Sequence, residues 1–235
     1  MNDIAIIGLV FCLCFCVQSV FGFAGNILSV TILSFFFDIK EIIVLAVIVG
    51  GIASLLILLS DRKSFSWKLL LEILIPSVPG ILIGVFFLRK YDSDFILQLF
   101  SIFLIVYALW TLMAPKTHIP NILKPLMNFV SGIFGGIFGG AGPFLIAAMR
   151  EKFKNKSALR GTFAMLSIVF TVIRIPLYFQ GNVSSIDNVV PFWWVIFPLI
   201  FCIWIGHRIH VKISERYFRI GISALLLVAG ISFLM

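Results

Sequence analysis

Apolar runs of about 17 to 25 residues recur along the whole chain, and this decides what it can fold into. That length crosses the ~30 Å hydrocarbon layer of a bilayer as a helix. Eight runs can be drawn, at about 4–36, 41–59, 67–88, 95–113, 121–149, 159–179, 189–206 and 217–234. A soluble domain of 235 residues does not carry 61% hydrophobic and only 12% charged residues. The expected class is an all-α polytopic membrane protein, and no stretch is long and polar enough for a separate soluble domain.

The net charge of +8 then has a membrane reading. Lys and Arg fall in short connections between apolar runs, where they set orientation, so nucleic-acid binding is not expected. "MNDIAIIGLV" has no basic n-region and no small-residue cleavage site, and reads as an uncleaved first segment. Cys12, Cys14, Cys16 and Cys202 lie in apolar segments without a CxxC, as small packing residues would. His207 and His210 sit in a basic stretch without an acidic or Cys neighbour, which argues against a metal site. There is no GxSxG, no HExxH and no phosphate-binding loop, so neither an enzyme nor a cofactor is expected.

Two of the eight runs, the first and the fifth, are too long for one span, and each holds a glycine cluster. "FGFAGNIL" (Phe21 to Leu28) matches "FGGAGPFL" (Phe138 to Leu145) at five of eight positions, at an offset of 138 − 21 = 117. "IPSVPGILIG" and "FPLIFCIWIG" share a Pro and a closing Ile-Gly at an offset of 198 − 76 = 122. Two matches in order at nearly equal offset indicate duplication, with residues 1–117 and 118–235 as four-segment halves. If segments 1 and 5 turn back as hairpins, the loop cations divide 14 inside to 3 outside; if they cross, 12 to 5. Both arrangements put the two termini outside, in a multi-pass plasma-membrane protein. The larger asymmetry favours hairpins and hence inverted halves.

Glycine and proline inside apolar runs break helices, and lipid tolerates such breaks only where protein or a cavity covers them. Pro143 suits the first turn of a short helix, and Asn26, at the matching place, suits an N-cap. Gly22, Gly25, Gly139 and Gly142 would let a ligand approach backbone N–H groups at these helix starts, an arrangement that binds anions. The competing use of such glycines is close helix packing. Gly132 with Gly136, and Gly135 with Gly139, have the GxxxG spacing.

Arg174 lies inside its segment, where a cation either snorkels to the interface or balances an anion. Thr171, Gln18 and Ser19 could donate hydrogen bonds to the same ligand. Glu72 is either a helix-surface partner of Lys68 or a carboxylate that couples transport to an ion. The partners expected are a small inorganic or organic anion, the lipid bilayer, an H+ or Na+ coupling ion, and a second copy in a homodimer. An anion channel and a non-transporting scaffold are the alternative classes.

The paired breaks resemble those of the sulfite exporter TauE/SafE family, also called the toluene sulfonate uptake permease family. Its halves open with a motif like G-x-G-G-G followed, after four intervening residues, by Pro. Here the copies are Gly22, Phe23, Ala24, Gly25 and Asn26, with Thr31 at the Pro position, and Gly139, Gly140, Ala141, Gly142 and Pro143, with Ala148 there. Both carry Ala for a central Gly and lack the later Pro. "ALRGTFAML" (Ala158 to Leu166), through Arg160, resembles the start of the segment that follows the second motif. The resemblance implies a transporter of seven or eight segments. Its substrates would be small sulfur-containing anions such as sulfite, thiosulfate or organosulfonates.

Overall fold

The computed structural model describes residues 2–21, 24–60, 66–113, 120–140, 145, 156–181, 183–184, 190–209 and 215–235. Those residues form nine α-helices and no strand. They are α1 (Asn2–Phe21), α2 (Gly25–Leu33), α3 (Ile39–Ser60), α4 (Trp67–Lys90), α5 (Ser93–Met113), α6 (Lys124–Phe138), α7 (Lys156–Gln180), α8 (Ile196–Ile209) and α9 (Glu215–Leu234). Short 3-10 turns, Asn121–Leu123 and Val190–Val195, lead into α6 and α8. Among the described residues, four stretches are long and apolar enough to cross a bilayer: Ile39–Leu59, Trp67–Lys90, Ser93–Met113 and Arg160–Gln180. Large apolar side chains also face outward, among them Leu9, Ile75, Phe86, Val106 and Val228. Water would penalise such a surface, whereas lipid does not.

The longest apolar run breaks where its glycines fall. α1 stops at Phe21, and α2 starts at Gly25 and runs back along α1. Gly25 lies against Phe15 and Gln18, while Leu28 and Ile32 lie beside Leu13, Cys14 and Val17. Nine residues at ~1.5 Å each make α2 about 14 Å long, too short to span a bilayer. The first long run is therefore a helical hairpin.

α4 shows how a proline-bearing helix survives in an apolar setting. Ser66 caps it by accepting from the Leu69 N–H at 3.5 Å, and Arg89 and Lys90 in the last turn suit the negative end of its dipole. Pro76 has no N–H to give to the Glu72 carbonyl. The Asn128 side chain of α6 donates to that carbonyl instead, at 3.5 Å. Ser77 answers by donating to the Asn128 carbonyl at 2.9 Å. The helix defect is thus repaired by the neighbouring helix.

The same two helices meet through glycines. Gly80 and Gly84 of α4 face Gly132 and Gly136 of α6, two GxxxG stripes in mutual contact. A Cβ on any of the four would fall against backbone of the opposite helix. Gly132 and Gly136 therefore serve packing.

The most extensive helix pairings are α4 with α6, α5 with α9, α3 with α7, and α1 with α8. Several helix boundaries recur at offsets of 117 to 122 residues. α1 and α6 end 138 − 21 = 117 residues apart, α3 and α7 begin 156 − 39 = 117 apart, and α5 and α9 begin 215 − 93 = 122 apart. Exchanging elements at these offsets turns the α4–α6 pair into α8–α1 and leaves α3–α7 and α5–α9 unchanged. The pairings are therefore reciprocal under this exchange.

Candidate functional site

The two glycine breaks meet in space. At the first, Ala24 takes the left-handed conformation (φ 83) and precedes α2 as its N-cap, without a side-chain cap. At the second, α6 ends on Gly139 (φ 75), whose N–H returns to the Gly135 carbonyl at 3.1 Å. Asn26 then reaches across 113 residues of sequence, its Nδ2 donating to the Gly139 carbonyl at 2.7 Å. Asn26 is thus not the N-cap that its side chain suggests. The backbone turns two residues earlier, at Ala24, which frees the Asn26 amide to join the breaks.

Arg174 of α7 completes the junction from the other side. It is 2% exposed. Its Nη1 donates to the Gly135 carbonyl at 2.6 Å, and its Nε to its own helix at Phe170, at 3.1 Å. One turn on, the Tyr178 hydroxyl donates to the Gly136 carbonyl at 2.8 Å. Arg174 and Tyr178 therefore cap the last turn of α6, Arg174 as a second donor to Gly135 beside the Gly139 N–H and Tyr178 as the donor to Gly136, where the dipole end is negative. The guanidinium turns inward to protein rather than outward to an interface.

A cavity of ≈ 60 Å³ opens at this junction. At ~15 Å³ per water, it has room for about four waters or one small oxyanion. Its wall takes Gln18 from α1, Asn26 from α2, Ser54 from α3, Gly139 and Gly140 from the end of α6, and Arg160, Ser167 and Arg174 from α7. Phe163 and Phe170 supply apolar surface. Among the described residues, no Asp or Glu stands in that wall, and no group of three His, Cys, Asp or Glu could hold a metal. Asn26 Oδ1 and Ser54 Oγ are buried without a hydrogen-bond partner, which leaves polar capacity at the junction unused.

Of the residues singled out from sequence, Gln18, Asn26, Gly139 and Arg174 line this cavity. Gly25 is buried but not in the cavity wall, and a Cβ there would come within 2.8 Å of the Phe15 ring and nearer still to the Gln18 side chain. Ser19 donates to the Cys16 carbonyl at 2.8 Å, and Thr171 to the Val47 carbonyl of α3 at 3.4 Å. Glu72 lies half-buried on α4, outside the cavity wall. Gly22, Gly142 and Pro143 lie outside the described residues. So does His210, while His207 falls in the last turn of α8.

Sequence reasoning missed Ser54 and Ser167, and it uses Arg160 as a mark of the start of the segment after the second motif, not as a site residue. Arg160 is in fact 3% exposed, inside α7. A signal was present: Arg160, Ser167 and Arg174 repeat every seven residues and so share one face of a helix.

Comparison with known proteins agrees with this architecture. The family model for the sulfite exporter TauE/SafE matches residues 6–233. The "probable membrane transporter protein MJ0441" of Methanocaldococcus jannaschii is 28% identical, with 92% of this chain and 90% of that protein covered. The "probable inner membrane transporter protein TsaS" of Comamonas testosteroni is 23% identical over 72% of this chain and 73% of that one. No solved structure matches. The chain therefore belongs to the sulfite exporter TauE/SafE family of multi-pass membrane transporters.

Proposed function

We propose that this chain is a secondary transporter of a small sulfur-containing anion (sulfite, thiosulfate or an organosulfonate), working by alternating access. One observation carries the anion: Arg174, a fully buried cation in the wall of a cavity that has no carboxylate among the described residues. A buried charge without an opposite charge is costly, so the cavity favours a ligand that supplies one. The start of α2 at Gly25 and Asn26 adds N–H groups that lack helical partners, and Gln18 adds an amide. Gly22, Gly142 and Pro143 would extend the site by their place in the two motifs, with Ser19 and Thr171 supporting the helices around it. The sulfur chemistry rests on the family's description.

The halves 1–117 and 118–235 would be inverted duplicates, with α1–α2 as one hairpin and the segment after Gly139 as part of the other. Both termini would then face outside the plasma membrane. H+ or Na+ could drive uptake or export, with Glu72 as the carboxylate to test for coupling, and the protein could act as a homodimer.

The test is an anion screen by thermal shift on purified protein, followed by flux in proteoliposomes. Sulfite, thiosulfate or a sulfonate should raise the melting temperature of wild type and fail to raise that of Arg174→Gln. Stabilisation of Arg174→Gln equal to that of wild type would remove the cavity from the mechanism. Flux that no ion gradient can drive uphill would mark a channel.

A further inference from the structure

α7 contributes more than one cation to the cavity. Arg160 and Arg174 line the same space, and both are nearly inaccessible to solvent, at 3% and 2% exposure. They stand fourteen residues apart on one continuous helix, about 21 Å along its axis at ~1.5 Å per residue. The cavity wall also includes Phe163, Ser167 and Phe170. Steps of three, four, three and four residues from Arg160 to Arg174 keep all five on one helical face. That face is a stripe with a cation at each end, a hydroxyl midway, and aromatic rings between.

We propose that Arg160 is a second anion-binding station, and that the anion travels along this face of α7 between Arg160 and Arg174. This rests on the reading of the cavity as an anion site. An ion small enough for ≈ 60 Å³ meets two cations four turns apart in succession rather than together. The ring edges of Phe163 and Phe170 carry partial positive charge and tolerate an anion's passage, while their faces keep water sparse. Arg160 follows Arg150, Lys152, Lys154 and Lys156 in sequence, so its station is the one nearer the basic connection and the side that connection faces. Arg160 would capture the ion from that side. Arg174, bonded to the end of α6, would hold it at the junction of the two halves.

The test is sided transport of sulfite and thiosulfate in proteoliposomes with one orientation silenced, using Arg160→Gln, Arg160→Lys and Arg174→Gln. Arg160→Gln should raise KM at least tenfold for entry from the side of the basic connection, and change KM from the other side by less than twofold. Arg160→Lys should recover most of that loss. Arg174→Gln should abolish saturable uptake from both sides.

Equal KM changes from the two sides, or Arg160→Lys no better than Arg160→Gln, would assign Arg160 to structure alone and overturn the inference while leaving the anion site standing. Wild-type protein that neither binds nor moves these anions would overturn the proposed function as well. If Arg160→Gln does not fold, Ser167→Cys in a cysteine-free background decides. An anionic thiol reagent should modify the thiol of that variant at least tenfold faster than a cationic reagent of the same size, and sulfite should slow it. A rate without charge preference would overturn the path.

Discussion

The seam between α4 and α6 offers the sharpest test of how this fold is held. A methyl added at Gly132 would stand 2.9 Å from the Ser77 carbonyl carbon, 3.0 Å from its Cα, and nearer still to its oxygen. Ordinary van der Waals contact begins at 3.4 Å, so the opposite backbone must retreat by at least half an ångström. That backbone cannot swing away as a side chain could. It is pinned by the Ser77 bond to Asn128 at 2.9 Å and by the facing contacts of Gly80, Gly84 and Gly136. Overpacking of this kind costs about 3 kcal/mol, and the better helix propensity of Ala over Gly returns about 1 kcal/mol. Gly132→Ala should therefore destabilise by about 2 kcal/mol, a fall of roughly 4–8 °C in Tm for a chain of this size. Gly221 in α9 is the control, because nothing lies within 4 Å of its added Cβ. Gly221→Ala should hold or raise Tm. The assay is thermal unfolding of both variants in the same detergent. Equal melting temperatures for Gly132→Ala and Gly221→Ala would refute the argument that backbone contact across these glycines holds the seam.

Three further outcomes follow. Tyr178→Phe removes the donor to the Gly136 carbonyl and should cost about 1–2 kcal/mol, read as a lower Tm with substrate affinity retained. Gly139→Ala forces a Cβ into the left-handed region (φ 75), 2.7 Å from a Val47 methyl. It should cost at least ~1–2 kcal/mol, and should also impair flux because the carbonyl held by Asn26 moves; unchanged Tm and flux would contradict the geometry. Lys63→Cys in a cysteine-free background should react with an impermeant thiol reagent only from the cytoplasmic side, and labelling from outside would sink the hairpin topology.

Much of this fold is written locally, and the cavity is not. The runs that become α3, α4, α5 and α9 announce themselves by length and apolarity, and the break after Phe21 by its glycines, because lipid leaves the backbone few alternatives. The pairing of Gly132 with Gly136 is also visible in the sequence, though not which helix they face. The role of Asn26 could not be read. A short polar residue beside glycine suggests a cap, and only the fold shows that the Gly139 carbonyl lies 2.7 Å from its amide. Arg160 misleads for a related reason. A cation at the edge of an apolar run looks like an interfacial residue, yet α7 begins at Lys156 and Arg160 is buried, 3% exposed. Ser54 gives no signal, since a lone serine in an apolar helix is common and its place in the cavity depends on the α3–α7 pairing.

The electrostatics of the junction then explain why an arginine stands there. The end of α6 brings about −0.5 of a charge and the start of α2 about +0.5, and the bond from Asn26 to Gly139 holds the two ends together. Opposed so closely, the dipoles nearly cancel, and two broken helices alone would leave the junction without a preference of sign. Arg174 changes the sum. By donating to Gly135 it screens the negative end of α6, and its full charge leaves the junction at about +1. The helix breaks supply polar backbone in a place that lipid would otherwise forbid, and on the proposed reading the guanidinium would decide which ion that backbone holds. On the proposed reading the breaks shape the site while Arg174 supplies the anion preference at the junction, so its loss should weaken that preference and leave only the charge of Arg160, even where the hairpin geometry survives.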